Sequence, residues 1–269
     1  MIWNFRPLAG CLACVCLCAS AAADETPLTP EEMTGASRVD GLSIPMPGEF
    51  MAALNKLGKI DWSAKFRLPI GTSYTSRPQM ALNLGGLIAD GYIAIEAQDA
   101  PQVKNIGRDV ITLATALGVG EEVKRRSSSI EAFAEKGEWD QLKEELEATQ
   151  NEVKEAMAEA KDQDLVTLVT VGGWLRGVEV TSGQIAAHYT ELGGKLLRQP
   201  GVIAFLDQHL ERLSDKDKDD GSVRIVRKKL ADIEKLLILP PDKAPTAAQV
   251  KELNQLTTET LKEITKKQK

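Results

Sequence analysis

The two histidines are the first residues to consider for chemistry, because imidazole is the side chain most often used in acid–base catalysis and metal binding. His188 and Glu191 are three residues apart, which would place them on one face of a continuous helix. A carboxylate-bridged di-metal bundle needs two Glu/His pairs and further glutamates. One pair, in reversed order, leaves His188 and Glu191 as weak candidates for metal ligands, and we expect no cofactor.

The second histidine, His209, lies between Asp207 and Glu211 near the predicted end of a helix, where a positive charge suits the helix dipole. The chain has no H-E-x-x-H zinc motif, no C-x-x-C-H haem motif and no G-x-S-x-G serine motif. No catalytic residue is therefore assigned, and the sequence favours a protein without enzymatic activity. The alternative is a small bundle that binds a metal, or a haem through a histidine and a methionine, and that could be an enzyme.

Four polar residues in otherwise apolar helical segments are the best candidates for contact with a ligand or a partner. Asn83 and Asp90 are seven residues apart on one predicted helix, Arg77 lies near its start, and Arg176 belongs to a second apolar segment. If the two segments cross, Asp90 and Arg176 are expected to form a buried salt bridge. In the alternative, Arg176 pairs with Glu179 on its own helix and Asp90 faces solvent.

The same two segments carry similar glycine patterns, GGLIADG from residue 85 and GGWLRG from residue 172. Their spacing of about 86 residues indicates an internal duplication of central helical hairpins, with chance similarity as the alternative. A glycine inside a helix costs about 0.5–1 kcal/mol relative to alanine, so several together indicate that helix backbones approach closely. The glycines expected to serve this purpose are Gly85, Gly86, Gly91, Gly172, Gly173 and Gly177.

Most of the chain after residue 75 has helical periodicity. Ser76 and Asp99 are predicted N-caps, each with a proline in the following first turn. The segment 138–162 has a narrow apolar stripe, which is typical of a coiled-coil seam in a helical hairpin. We therefore predict an all-α, multi-helix bundle. Its predicted helices cover residues 77–98, 100–117, 121–136, 138–162, 164–197, 201–213 and 246–266, with a further apolar a/d stripe over 223–237.

The N-terminus predicts export. A positive residue, an apolar run and small residues before Asp24 form a signal peptide over residues 1–23. All four cysteines lie inside it, so the mature chain would have neither a disulfide nor a cysteine metal site. A competing interpretation makes Cys11 a lipid anchor, but the apolar stretch before it is too short. No transmembrane segment is expected after cleavage, and we predict a periplasmic or extracellular location.

Four regions follow from these patterns: the signal peptide 1–23, an extended tether with one short helix over 24–75, the bundle 76–239, and a hinged C-terminal helix over 240–269. The apolar side of this helix is expected to dock on the body, with docking on a partner as the alternative. Alternation between Trp62 and Leu68 predicts an extended segment laid over the bundle. The formal net charge of −6 argues against nucleic acid as a partner. The sequence thus predicts a non-catalytic binding or protein-interaction module of the bacterial envelope, with a protein as its partner.

Overall fold

The computed structural model describes residues 37–39, 42–240 and 242–266, so the predicted signal peptide, Cys11 and the start of the tether lie outside the described residues. The prediction of an all-α bundle is confirmed. One small antiparallel hairpin, β1 (Ser37–Val39) and β2 (Leu42–Ile44), precedes the helices. The helices are α1 (Pro47–Leu57), α2 (Arg77–Glu96), α3 (Ala100–Leu117), α4 (Gly120–Lys136), α5 (Trp139–Glu159), α6 (Gln163–Ala187), α7 (Glu191–Leu196), α8 (Pro200–Glu211), α9 (Asp215–Lys218), α10 (Gly221–Leu237) and α11 (Ala247–Ile264).

Helices α2 and α6 form the centre of the bundle and pack against each other along much of their length. Every residue of α2 from Ala81 to Ile95 is buried, which explains why its apolar residues show no preferred face. The predicted caps are present. The Ser76 hydroxyl accepts a hydrogen bond from the Gln79 amide, and the Asp99 carboxylate accepts one from the Gln102 amide.

The predicted helical hairpin is formed by α4 and α5, which pack against each other beside α3. The narrow apolar seam of α5 turns inward, since Leu142, Val153 and Met157 are all buried. Two ion pairs cross the hairpin from Arg126, to Glu145 at 3.0 Å and to Glu152 at 2.5 Å. These bonds identify the face of α5 that meets α4.

The structure corrects the predicted continuous helix over 164–197. Helix α6 ends at Ala187, and α7 starts after Thr190, whose hydroxyl accepts a hydrogen bond from the Gly193 amide. This new cap gives the chain a separate helix start, so the break follows from local capping. The duplication is not confirmed and stays a hypothesis. Helix α3, after α2, has 18 residues, whereas α7, after α6, has six.

The segment between α1 and α2 also differs from the prediction. A single 3-10 turn (Ser63–Lys65) interrupts the expected extended stretch. Trp62 is buried and Phe66 packs on the core, but Leu68 is 87 % exposed, so the alternation does not continue to its end. The hairpin β1–β2 lies in the region that was predicted to be an irregular tether. The sequence did not indicate it, because strands of three residues are too short to show a periodic pattern.

The C-terminal helix α11 is docked on the body, where it packs against α6 and α10. Its apolar face is enclosed, with Val250, Leu253 and Ile264 fully buried. Two buried threonines, Thr257 and Thr260, donate their hydroxyl hydrogens to carbonyls of the same helix and so leave no unpaired donor at the contact. None of the helices in the described part of the chain has the length and apolar character needed to cross a membrane.

Candidate functional site

The crossing of α2 and α6 depends on glycines at which no side chain could be placed. A Cβ added to Gly85 would lie 1.9 Å from the carbonyl oxygen of Val169. A Cβ on Gly172 would lie 1.9 Å from the carbonyl oxygen of Leu82, and one on Gly173 would lie 3.4 Å from that of Gly85. The backbones of the two central helices are therefore in direct contact, which alanine at the first two positions would prevent.

The other glycines expected to be structural receive side chains from neighbouring segments. A Cβ on Gly177 would lie 2.5 Å from the ring of Phe50 on α1, and one on Gly86 would lie 3.1 Å from the guanidinium of Arg67. Gly91 is less tightly enclosed, since its nearest neighbour is a leucine side chain of α5 at 3.4 Å. The glycine segments therefore accommodate α1 and the segment before α2, in addition to the helix crossing.

Beside this crossing, the buried Asp90 and Arg176 form a network with two partly buried charged side chains, Arg67 and Glu179. The Arg176 Nε donates to Asp90 Oδ1 at 2.8 Å, so the cross-helix salt bridge is present. Arg176 also bonds Glu179 and donates to the carbonyl of Lys65 at 2.7 Å. Arg67 Nε donates to the second carboxylate oxygen of Asp90 at 2.7 Å. Both arrangements considered for Arg176 thus occur together, and Asp90 does not face solvent.

Burial by itself would lower the pKa of the Arg176 guanidinium, but the carboxylates of Asp90 and Glu179 outweigh it and the net shift is upward. Two guanidiniums and two carboxylates leave the cluster neutral overall. Because Arg176 is only 3 % exposed, its charge is stabilised by these partners and not by water. The network links α2, α6 and the segment before α2, and its hydrogen bonds are made within the protein.

Asn83, in the N-terminal half of α2, also forms hydrogen bonds within the protein. Its side-chain amide donates to the carbonyl of Ile264 at 2.9 Å, and Gln79 donates to Ile264 and to Lys266 at 2.8 and 2.6 Å. These carbonyls lie at the C-terminal end of α11, where a helix leaves its last carbonyls without partners. Asn83 and Gln79 therefore cap α11 from the side and hold it on the bundle.

Arg77 is the most exposed of the four polar candidates. It forms a salt bridge of 2.8 Å with Asp162 at the turn between α5 and α6, and it donates to the carbonyl of Leu117 at 3.3 Å. These contacts join three helix ends. The structure thus places Arg77, Asn83, Asp90 and Arg176 in internal bonds at three separate places, and a ligand contact at any of them stays a prediction.

The histidines are not brought together. His188 is the exposed residue that ends α6, whereas Glu191 begins α7, so the expected shared helix face is wrong. His209 stacks on Phe205 with the ring centres 3.8 Å apart, and its Nδ1 lies 2.9 Å from the Phe205 carbonyl oxygen. Within the described ranges, no three His, Cys, Asp or Glu side chains lie close enough to hold a metal ion.

Three exposed apolar residues lie close to helix ends: Tyr189 between α6 and α7, Leu192 in the first turn of α7, and Ile238 directly after α10. We call Tyr189, Leu192 and Ile238 the end surface; they are 37 %, 39 % and 73 % exposed. The Tyr189 hydroxyl donates to the carbonyl of Pro245 at 2.8 Å, which fixes its ring. A Cβ on Gly194 would lie 3.1 Å from the same oxygen, so α7 is packed tightly against the segment that follows α10.

Sequence patterns missed several of these residues. Arg67 lies in a segment interpreted only through its alternating apolar residues, and no pattern indicated that it would reach Asp90. Gln79 is one turn before Asn83, and this i, i+4 spacing was the available signal for a shared polar contact. Gln150 and Lys154 lie outside the apolar stripe predicted for the segment 138–162, yet both are buried.

Comparison with known proteins supplies no further assignment for these contacts. No family model, curated protein or solved structure matches the chain.

Proposed function

We propose that the chain is an exported helical-bundle protein of the bacterial envelope that works as a non-catalytic binding module, with a protein as its partner. The observation that carries this proposal is the end surface. Three apolar side chains from three separate segments are exposed, and the Tyr189 hydroxyl bond to the Pro245 carbonyl joins the first of these segments to the chain after α10. Exposed apolar side chains of this kind are typical of protein-interaction sites when they form one patch, and we propose that these three do.

The polar candidates in the interior are already bonded within the protein, which favours the surface as the place where a partner binds. The charges at the α2–α6 crossing bond one another, and Asn83 bonds α11, so these groups serve the fold. Export is supported by the predicted signal peptide alone. The proposed location is therefore the periplasm or the outside of the cell.

Site-specific photo-crosslinking in intact cells of the source organism tests the interaction. A photoreactive residue at Leu192 should give a discrete protein adduct, and the Tyr189→Ser/Ile238→Ser change should abolish it. Leu68 is the matched control position, because it is apolar and more exposed but is not part of the end surface. An equal adduct pattern at positions 192 and 68, or no adduct at 192, would overturn the proposal.

Two measurements on protein purified from native cells test the rest of the proposal. Intact mass should give a chain that begins at Asp24, and a mass corresponding to acylated Cys11 or to the uncleaved chain would contradict simple export. Elemental analysis and a visible spectrum address the alternative function. Stoichiometric metal, or a Soret band, would replace the interaction module with a metal- or haem-binding bundle.

A further inference from the structure

The turn that follows α8 is tied to the start of α6 through Ser214. The Ser214 amide donates to Asp164 Oδ2 at 2.9 Å, although Asp164 is 50 positions earlier in the chain. The Ser214 hydroxyl accepts a hydrogen bond from the Asp217 amide at 3.4 Å and so caps the short helix α9. Ser214 therefore brings the first turn of α6 against the first turn of α9.

Two carboxyl groups meet at this place. In a capping box, the acidic side chain three residues after the N-cap accepts a hydrogen bond from the N-cap amide, and Asp217 is in that position. Here Asp164 has taken the Ser214 amide, and the Asp217 carboxyl is hydrogen-bonded to the Asp164 carboxyl instead. Ionised carboxylates only accept hydrogen bonds, so this bond requires a proton on one of the two groups.

Asp217 is the group that holds the proton. Asp164 lies in the first turn of α6, where the helix dipole and the Ser214 amide both stabilise a negative charge. Burial raises the pKa of the Asp217 carboxyl, and the charge of Asp164 and the hydrogen bond to it raise this pKa further. The hydrogen bond with Ser214 and the Lys216 charge lower the pKa of Asp217, but the net shift is upward.

The other acidic side chains around this turn have partners of their own. Within the described ranges, Asp164 of α6 and Lys216 of α9 supply the charges that act on Asp217. The remaining neighbours are bonded elsewhere: Asp215 bonds Lys218, Asp162 bonds Arg77, and Asp220 accepts hydrogen bonds from Ser76 and Ser222. These neighbours therefore do not compete for the proton of Asp217.

We propose that Asp164 and Asp217 form an acid-closed latch that joins the turn carrying α9 to the start of α6. In acid, the protonated Asp217 carboxyl donates its hydrogen to Asp164, and this bond acts together with the Ser214 amide bond. As pH rises, Asp217 releases its proton to water, so the bond is lost and two negative charges remain side by side. The turn then separates from α6 more readily. This device is independent of the end surface and of its proposed partner.

The latch has the opposite pH dependence to an ordinary ion-paired carboxylate. In the folded chain the pKa of Asp217 is above its ordinary value of 3.8, so the folded chain binds this proton more tightly than the unfolded chain. The stabilisation is therefore complete below about pH 3.8 and is lost as pH rises through the raised pKa.

Carboxyl-carbon NMR of the full chain, with isotopically labelled aspartate, measures the titration of Asp217. Its pKa should lie above 3.8, and Asp164→Asn should lower it because the neighbouring charge is removed. The control Asp215→Asn changes the other aspartate in the first turn of α9 and should leave the pKa of Asp217 raised. A pKa of Asp217 at or below 3.8 in the unaltered chain, or no response to Asp164→Asn, would overturn the latch.

Amide exchange of Ser214 reports whether the latch is closed, since this amide is bonded to Asp164. Its protection factor in the unaltered chain should be higher at pH 4 than at pH 7 by about threefold or more. Asp217→Asn carries a side-chain N–H at every pH and should remove this difference, whereas Asp215→Asn should retain it. Equal protection of Ser214 at the two pH values in the unaltered chain, or an unchanged difference in Asp217→Asn, would exclude the proposed device.

Discussion

At the scale of single residues, the buried charges of this protein fall into two groups. Asp90 and Arg176 are paired across the central crossing, and each has a second partner. Lys154 is buried, and no carboxylate of the described residues offsets its burial. Removing Asp90 or Arg176 should lower the free energy of unfolding, because the remaining partner is left as a buried charge without compensation. Removing the Lys154 charge should raise it, because the cost of burying an unpaired charge is then absent.

The Asp90–Arg176 bond is tested by a double-mutant cycle with Asp90→Asn and Arg176→Met. Each single change leaves a buried charge without its main partner and should lower the free energy of unfolding by about 3–5 kcal/mol. The double variant should cost at least about 1 kcal/mol less than the sum of the two single changes. Urea denaturation of the four proteins measures the coupling, and strictly additive effects would mean that the bond contributes nothing to stability.

Lys154 predicts a specific dependence of stability on pH. Its pKa in the folded chain is about 8, against 10.5 as its ordinary value, so the unfolded chain binds more protons between these values. Stability should therefore rise with pH across this window. Relative to Lys154→Met, the unaltered chain should gain on the order of 2 kcal/mol between pH 7 and pH 10.

The comparison with Lys154→Met cancels the titration of Tyr74 and Tyr92, whose pKa values burial raises, because both chains contain them. Urea denaturation at the two pH values gives the difference. An equal response of the two chains would show that the Lys154 ammonium is solvated in the folded state.

At the scale of elements, the crossing of α2 and α6 is the contact on which the bundle is built. Its closeness requires main chain against main chain, which only glycine permits at positions 85 and 172. The cost of these glycines as helix residues is offset by the packing of two helices that are buried on nearly all sides.

Gly85→Ala and Gly107→Ala form a matched pair that tests this contact. The new methyl at position 85 would overlap the Val169 carbonyl, so the free energy of unfolding should fall by about 3 kcal/mol or more. Gly107 lies inside α3 with no atom within 4 Å of an added Cβ, and its change to alanine should stabilise by about 0.5–1 kcal/mol. Similar effects at both positions would show that the crossing tolerates a wider separation.

At the scale of the whole molecule, one continuous core connects α1 to α11. The C-terminal helix was expected to dock on the body, and its apolar face is enclosed by α6 and α10, while Gln79 and Asn83 of α2 hold its last carbonyls. A helix held in this way should unfold together with the body.

Leu253→Ala tests this cooperativity. Leu253 is fully buried on α11, and the cavity left by its truncation should lower the global free energy of unfolding by about 2–5 kcal/mol. Tryptophan fluorescence, to which Trp62, Trp139 and Trp174 of the body contribute and α11 does not, should show the same shifted transition as circular dichroism. Lys251→Ala on the outer face of α11 should change stability by less than about 0.5 kcal/mol. A separate early transition that leaves the tryptophan fluorescence unaffected would indicate a hinged helix.

The sequence by itself determined the all-α class, the positions of most helices and the caps at Ser76 and Asp99, because periodicity and capping depend on residues within a few positions of one another. It also indicated the glycine crossing and Asp90–Arg176 as one of two pairings. The tertiary structure alone decided that Arg67 also bonds Asp90, that α11 docks on α6 and α10, and that Lys154 is buried without an ion-pair partner among the described residues. These features join residues far apart along the chain, and such contacts depend on how the helices pack, which leaves no local pattern in the sequence.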